Sequence, residues 1–239
     1  MSLQWLEQLQ YRSRVRLTPA QRTQQLQDIS LILQEMGNPQ QHIHTIHIAG
    51  SKGKGSTAMY IAHTLVHMEY RCMSYHSPHV YHMTERLCID GQPCSWHNWQ
   101  QWLDEVYHYC QKFPAVDVGY FDVLTLMAFW AAYQLKVDYL ILETGIGGRL
   151  DTTVLCHPVA SIITPIEKEH CDILGHSLAE IAFEKAGIIK SQCPVFVSTQ
   201  DPEVEQVLRQ RAQLMQAPYY SLDDTVQLGA ISWDRDSWH

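Results

Sequence analysis

No stretch of this 239-residue sequence stays apolar for the length of a membrane span, and its opening, MSLQWLEQLQYRSRV, holds no signal-peptide core. Positive charge is also scarce. Against 25 Asp and Glu there are 17 Lys and Arg, a formal charge of -8, which is the wrong sign for a surface that grips nucleic-acid phosphates or an anionic membrane. Any anion the chain binds must be held by positive charge gathered locally. The seven cysteines form no C-x-x-C pair and leave an odd one over, which argues against a disulfide framework or a zinc ribbon. Internal repeats, low-complexity tracts and linkers are absent as well. Together these absences predict a globular protein of the cytoplasm with reduced thiols and neither a nucleic-acid nor a membrane partner.

Even the most distinctive segment lacks something. HIAGSKGKGST, His47 to Thr57, has the composition of a phosphate-binding loop. The usual pattern, however, places a glycine five residues before the Gly-Lys pair and Ser or Thr directly after it. Here Ile48 holds the first position and Gly55 the second, with Ser56 and Thr57 one step late. The loop reads either as a nucleotide cradle or as a glycine-rich turn that contains lysines.

Its context favours the cradle. The run from His44 to Ala49 alternates like a strand, and Ser56 to about Glu69 reads as a helix, so the loop joins a strand end to a helix start. A helix N-terminus offers unpaired N–H groups and the positive end of its dipole to an anion. Upstream, Thr18-Pro19 caps a helix that Gly37 stops. Downstream, Arg71 to Tyr75, VDYLILE ending at Glu143, Pro158 to Thr164 and Pro194 to Ser198 read as strands. Ser95 to Lys112, Phe121 to Leu135, Leu178 to Ile188 and Pro202 to Met215 read as helices. Alternation of this kind predicts an α/β fold with a mostly parallel, doubly wound sheet whose ligands sit at the carboxyl ends of the strands. Gly50 to Ser56, Ser77, Glu143 and Glu169-His170 fall at such ends.

Several of these residues carry chemistry. A carboxylate ending a run such as VDYLIL is costly without a partner, and a magnesium ion is one candidate for Glu143; a helix cap or ion pair is the other. TGIGGRLDTT, with three glycines and Arg149, reads as a loop that hugs a ligand or as a tight crossover turn. His170 is a candidate ligand or base. The histidines at 76, 79 and 82, and His63 with His67, read more simply as ordinary side chains than as metal ligands.

Taken together, the motifs H-I-A-G-S-K-G-K-G-S-T, Y-H-S-P-H-V, T-E-R, Y-F-D-V-L-T, L-E-T-G-I-G-G-R-L-D, E-H-C-D-I-L-G-H and E-K-A-G-I-I-K occur in the order found in the folylpolyglutamate synthase/dihydrofolate synthase family of the Mur ligase superfamily. The resemblance covers about Gly37 to Val197. It implies a fold of the P-loop NTPase type and a loop of the form G-x-x-G-K-G-S, in which glycine after the lysine is normal. By the same resemblance, ATP phosphates would be bound by Gly50, Ser51, Lys52, Gly53, Lys54, Gly55, Ser56 and Thr57. Ser77 and Glu143 would hold one Mg2+ and His170 another. Lys185 would be carbamylated, an anionic support for the metals; as a free amine it reads as a helix-surface cation. Lys54, Lys185 and His170 would thus serve catalysis, while Arg86, Phe121, Asp122 and Arg149 would lie on the substrate side. The implied reaction activates a dihydropteroate or folate carboxylate with ATP to an acyl phosphate, which the amine of L-glutamate then attacks.

The sequence departs from the family at Ser51-Lys52 (usually Thr-Asn), Met83-Thr84-Glu85-Arg86 (Phe-Asn-Glu-Arg), Phe121-Asp122 (Phe-Glu), Lys168-Glu169-His170 (Leu-Asp-His) and Asp151-Thr152-Thr153-Val154 (Asp-Ala-Thr-Asn). Nothing after Ser221 resembles the family's second α/β domain with its Asp-Gly-Ala-His-Asn-Pro motif. The resemblance therefore implies that residues 1–239 form most of the ATP-binding domain, incomplete at its C-terminal end, with the glutamate-ligase domain absent by truncation, by decay, or by gene splitting that leaves it as a separate partner. The other reading is a non-catalytic module that binds Mg-ATP or folate.

Overall fold

The protein is described from a computed structural model, which covers residues 1–12 and 17–225. The terminal run LGAISWDRDSWH lies outside the described residues.

One eight-stranded sheet organises the chain. Its strands are β1 (His44–Ala49), β2 (Cys72–Tyr75), β3 (Leu87–Ile89), β4 (Gln92–Pro93), β5 (Tyr139–Glu143), β6 (Pro158–Ile163), β7 (Val195–Val197) and β8 (Tyr219–Ser221). They lie in the order β4-β3-β2-β5-β1-β6-β7-β8. All neighbours run parallel except β3, which is antiparallel to both β2 and β4. The expected parallel sheet is therefore present, with an added antiparallel edge. That edge is a hairpin turned by Asp90 (φ 49°) and Gly91 (φ 80°), and an Asp-Gly pair is a strong hairpin signal because both turn positions need positive φ.

The helices are α1 (Ser2–Arg12), α2 (Pro19–Glu35), α3 (Lys54–His67), α4 (Trp96–Gln111), α5 (Tyr120–Leu135), α6 (Cys171–Leu174), α7 (Leu178–Lys185), α8 (Pro202–Leu214) and α9 (Leu222–Thr225). In α2, the Thr18 hydroxyl accepts the Gln21 N–H and the Gln21 side chain accepts the Thr18 N–H, with Pro19 in the first turn. The Thr18 cap and Pro19 start are as the sequence predicts, and Gln21 makes the cap reciprocal. Helix α5 was expected from Phe121. It starts one residue earlier because the Asp122 carboxylate reaches back to the Gly119 N–H at 2.8 Å.

Successive residues of β5 show why the sheet is doubly wound. Leu140 and Leu142 join the large core built from α1, α2, α4 and α5, with Leu6, Leu33, Trp99 and Phe129, while Ile141 between them packs with Ala58 and Ala62 of α3. A strand alternates its side chains between faces, so helices cover both. A second core gathers Ala49 of β1 and Ile163 of β6 with Ile181 of α7 and Leu208 of α8. At roughly 1.5–3 kcal/mol for each large apolar side chain buried, these cores hold β1 rigidly at the sheet centre, and the loop after β1 inherits that rigidity.

Candidate functional site

The glycine loop leaves β1 between its neighbours β5 and β6 and is pinned on the β6 side. The N–H groups of Ser51 and Lys52 donate to the Pro165 carbonyl at 2.9 and 3.3 Å. The Ser51 hydroxyl exchanges hydrogen bonds with the Glu167 backbone at 3.0 Å, and Lys52 pairs with the Glu167 carboxylate at 2.6 Å near the surface. Gly50 is indispensable to this path: its φ is +151°, and a Cβ there would lie 1.8 Å from Thr164 Oγ1.

Gly53, at φ +81°, caps α3 without any side-chain hydrogen bond. The helix therefore begins at Lys54, two residues before the expected Ser56, and its first-turn N–H groups receive no side-chain cap. Those are the donors an anion takes at a helix start. The Lys54 ammonium folds back to the Gly50 carbonyl at 2.9 Å and lies 3.5 Å from that of Ser51.

Facing the loop is Glu143, which ends β5 opposite Ile48 of β1 and is only 4% exposed. Its Oε2 accepts the Ser77 N–H at 3.2 Å, lies 3.6 Å from His76 Nδ1, and would be 3.5 Å from a Cβ at Gly55. These groups line a cavity of about 520 Å³ with Gly53, Ser56 and Ser77. On the other side of Gly53 a second cavity, about 420 Å³, runs past Thr57 and Thr164 to the stacked rings of Phe196 and Tyr220.

Lys185 ends α7 and is 1% exposed. It is not the helix-surface cation expected of a free amine, since its residue lies on the buried face of α7 with Ile181, one turn before it. Its ammonium donates to the Gly50 carbonyl at 2.8 Å and to Glu169 Oε1 at 2.6 Å. Burial pushes the amine below the ordinary lysine range, against the opposing pull of Glu169 and with help from the charge of Lys54. Burial pushes the Glu169 carboxyl up, but Lys185 and then Lys54 outweigh it and hold it below the usual carboxylate range.

The loop, Glu143, Ser77 and Lys185 are thus brought together. His170 is exposed at the start of the four-residue α6, with φ 44°. Among the described residues, no three His, Cys, Asp or Glu side chains converge as a metal site. The residues expected on the substrate side are engaged within the protein. Arg86 donates to His79 Nδ1 at 2.9 Å and lies over the Tyr120 ring. Phe121 packs beside Tyr75 and closes over Gly145. Asp122, 1% exposed, accepts from the Thr152 hydroxyl and pairs with Arg22 at 3.1 Å. Arg149 forms two hydrogen bonds to Glu184 Oε1, at 3.2 and 2.6 Å.

The glycines after Glu143 pack against protein. A Cβ at Gly145 would strike Phe121, one at Gly147 Leu174, and one at Gly148 the Lys185 carbonyl at 2.9 Å. That packing is what a tight crossover turn requires. The histidines at 76, 79 and 82 also separate: His82 caps the turn at Thr84, His79 serves Arg86, and His76 faces Glu143. Sequence reasoning passed over His76 as a site residue, although its place directly before Ser77 at the end of β2 was the available signal. All seven cysteines are free. Cys156, which lies 3.4 Å from His47, is kept neutral: burial pushes the thiol up to about 12 and the imidazole down to about 3. That pair is inert.

Residues 48–232 match the Mur ligase middle domain. The dihydrofolate synthase/folylpolyglutamate synthase of Bacillus subtilis (strain 168) is 36% identical over 197 residues, covering 81% of this chain and 46% of that protein. The Mycobacterium tuberculosis folylpolyglutamate synthase solved with ADP and AMPPCP is 33% identical at TM-score 0.78, over 82% of this chain and 46% of that one. The apo form of the L. casei FPGS is 30% identical at TM-score 0.83, over 92% and 53%. The chain spans about half the length of these relatives. No helix among the described residues is long and apolar enough to cross a membrane. A match that runs through the glycine loop, Glu143 and Lys185, and over most of the sequence, shows the family: this chain belongs to the Mur ligase middle-domain family and is similar within it to the folylpolyglutamate and dihydrofolate synthases.

Proposed function

We propose that this chain binds Mg-ATP and serves an ATP-dependent ligase that joins L-glutamate to a dihydropteroate or folate carboxylate. The observation that carries this reading is the α3 N-terminus, uncapped by any side chain, behind a rigid glycine loop, with Lys54 on one side and the buried Glu143 on the other. Gly50 to Thr57 would bind the phosphates through backbone N–H groups, with Lys54 exchanging its two carbonyl acceptors for phosphate oxygens. A magnesium ion fits the carboxylate of Glu143 and the hydroxyls of Ser56 and Ser77, an oxygen set of the kind that ion prefers. When bound, it would supply charge neutralisation where carboxylate and phosphate, both anions, must meet. His170 would reach a second ion from α6, and Arg86, Phe121, Asp122 and Arg149 would form the wall on the acceptor side.

Calorimetry of the 239-residue chain should show saturable binding of Mg-AMPPCP, and then of dihydropteroate or folate to the nucleotide complex. Absence of nucleotide binding would overturn the reading. Nucleotide binding without either pterin would leave a Mg-ATP-binding module and remove the proposed acceptor.

Lys185 belongs to the same proposal, as a carbamylated residue. Carbamate formation needs the neutral amine: its lone pair attacks CO2, an N–C bond forms and one proton leaves. Burial favours the neutral form, while Glu169 must release the nitrogen and a cation must balance two neighbouring anions. With carbon-13 bicarbonate, NMR should show a carbamate resonance that Lys185→Ala abolishes. A spectrum without that resonance, or one in which it persists in the variant, rules the modification out.

A further inference from the structure

We propose that His76 is a nitrogen ligand to the divalent cation held at Glu143, and that it shifts this site's preference from magnesium toward first-row transition ions such as manganese. The inference rests on the reading that Glu143 holds a cation, and adds to it a residue and a metal preference.

The imidazole stands at the carboxyl end of β2, one strand over from Glu143, with its backbone N–H fixed by the Arg86 carbonyl at 2.9 Å. Its side chain is 13% exposed and lines the same cavity as Ser56, Ser77 and Glu143. Its two nitrogens have different partners. Nε2 lies 2.8 Å from the hydroxyl of Ser74, itself 2% exposed, and Nδ1 lies 3.6 Å from Glu143 Oε2. The second distance is too long for a hydrogen bond and much longer than the roughly 2.8 Å of an imidazolium-carboxylate pair. When Nε2–H donates to Ser74, Nδ1 is left as the free acceptor nitrogen 3.6 Å from Glu143 Oε2, a separation that a cation shared by the two groups would bridge. Two donors about 2.1 Å from one ion stand about 3.0 to 3.5 Å apart at ordinary bond angles, so a small closure of the observed gap suffices.

The outer hydrogen bond has the form that metal-binding histidines use to fix tautomer and ring orientation. Oxygen donors alone suit magnesium, whereas an imidazole nitrogen raises affinity for first-row ions relative to it. No third carboxylate or histidine converges here among the described residues, so the hydroxyls and ligand phosphates would complete the shell.

Manganese chloride is the probe, added with AMPPCP to the full chain, and electron spin-echo modulation reads nitrogen bound to the ion. The expected result is an imidazole modulation that persists in His170→Ala and disappears in both His76→Ala and His76→Asn. Histidine labelled with nitrogen-15 should change the pattern in wild type, which tests histidine ligation even if a His76 variant fails to fold. Calorimetry with the metal chlorides alone should show His76→Ala weakening manganese about tenfold or more and magnesium by less than about threefold. Manganese that binds, is released by Glu143→Gln, and shows no His76-dependent nitrogen would overturn the proposal while leaving the cation site intact. If Glu143→Gln leaves manganese binding unchanged, the cation site and the proposal fall together.

Discussion

Gly50→Ala is expected to lower the unfolding midpoint by about 10 °C and to abolish measurable nucleotide binding. The new methyl would sit 1.8 Å from Thr164 Oγ1, 2.9 Å from its Cβ and 3.0 Å from its carbonyl oxygen. Two of these atoms belong to a β-branched side chain and one to backbone, so none is a flexible tip that swings aside. Overpacking of this kind costs about 1–3 kcal/mol. Forcing a φ of +151° on a residue with a Cβ adds about as much again. A total of about 2–6 kcal/mol, with a midpoint near 4, translates to roughly 10 °C in a domain of this size. Differential scanning calorimetry checks the value, and a double-mutant cycle with Thr164→Ala separates the causes: the steric part should return, as a coupling of about 1 kcal/mol or more, and the φ strain should remain. A Gly50→Ala protein that melts with wild type would show that the loop follows another path.

Lys54→Ala should do the opposite, sparing the fold and weakening Mg-ATP about 10- to 100-fold. The ammonium is directed to backbone carbonyls of its own loop. Its removal touches no core residue and should change stability by no more than about 0.5 kcal/mol. Against a phosphate, the same ammonium forms a charge-assisted hydrogen bond worth about 1.5–3 kcal/mol, which is that fold-change in affinity. Isothermal titration with Mg-ATP measures it. Equal binding by wild type and variant would remove Lys54 from the site.

Much of this architecture was legible because long elements announce themselves. The four-turn apolar α5, the capped α2 and the runs of β1, β5 and β6 each carry a period or a cap that only one secondary structure satisfies. Short elements carry too little pattern. The strands β3, β4 and β8 have three, two and three residues, fewer than any periodicity needs, and the Asp-Gly turn between the first two was a signal in the sequence that went unused. Helix α1 places Leu6 and Leu9 in the core from a glutamine-rich run, so its three-residue spacing was visible but faint.

The site divided along the same line. Gly50 to Ser56 and Glu143 could be placed from sequence because they sit where strands end, and strand ends can be read from sequence. The burial of Lys185 depended on which face of an eight-residue helix met the core. The engagement of Asp122 by Arg22 and Thr152 joins positions 100 and 30 residues away, which no local pattern encodes.

The Gly50 carbonyl accepts from both Lys54 and Lys185. A carbonyl oxygen has two lone pairs, so each is used, and the two ammonium groups, both within hydrogen-bond length of one atom, stand less than about 6 Å apart. Only a neutral dipole holds them together, with Glu169 offsetting one of the charges. The loop is therefore a point of local frustration in an otherwise consistent fold. An anion bound there, as proposed for the ATP phosphates, would relieve that conflict, so the contacts that recognise it would also leave the protein less frustrated.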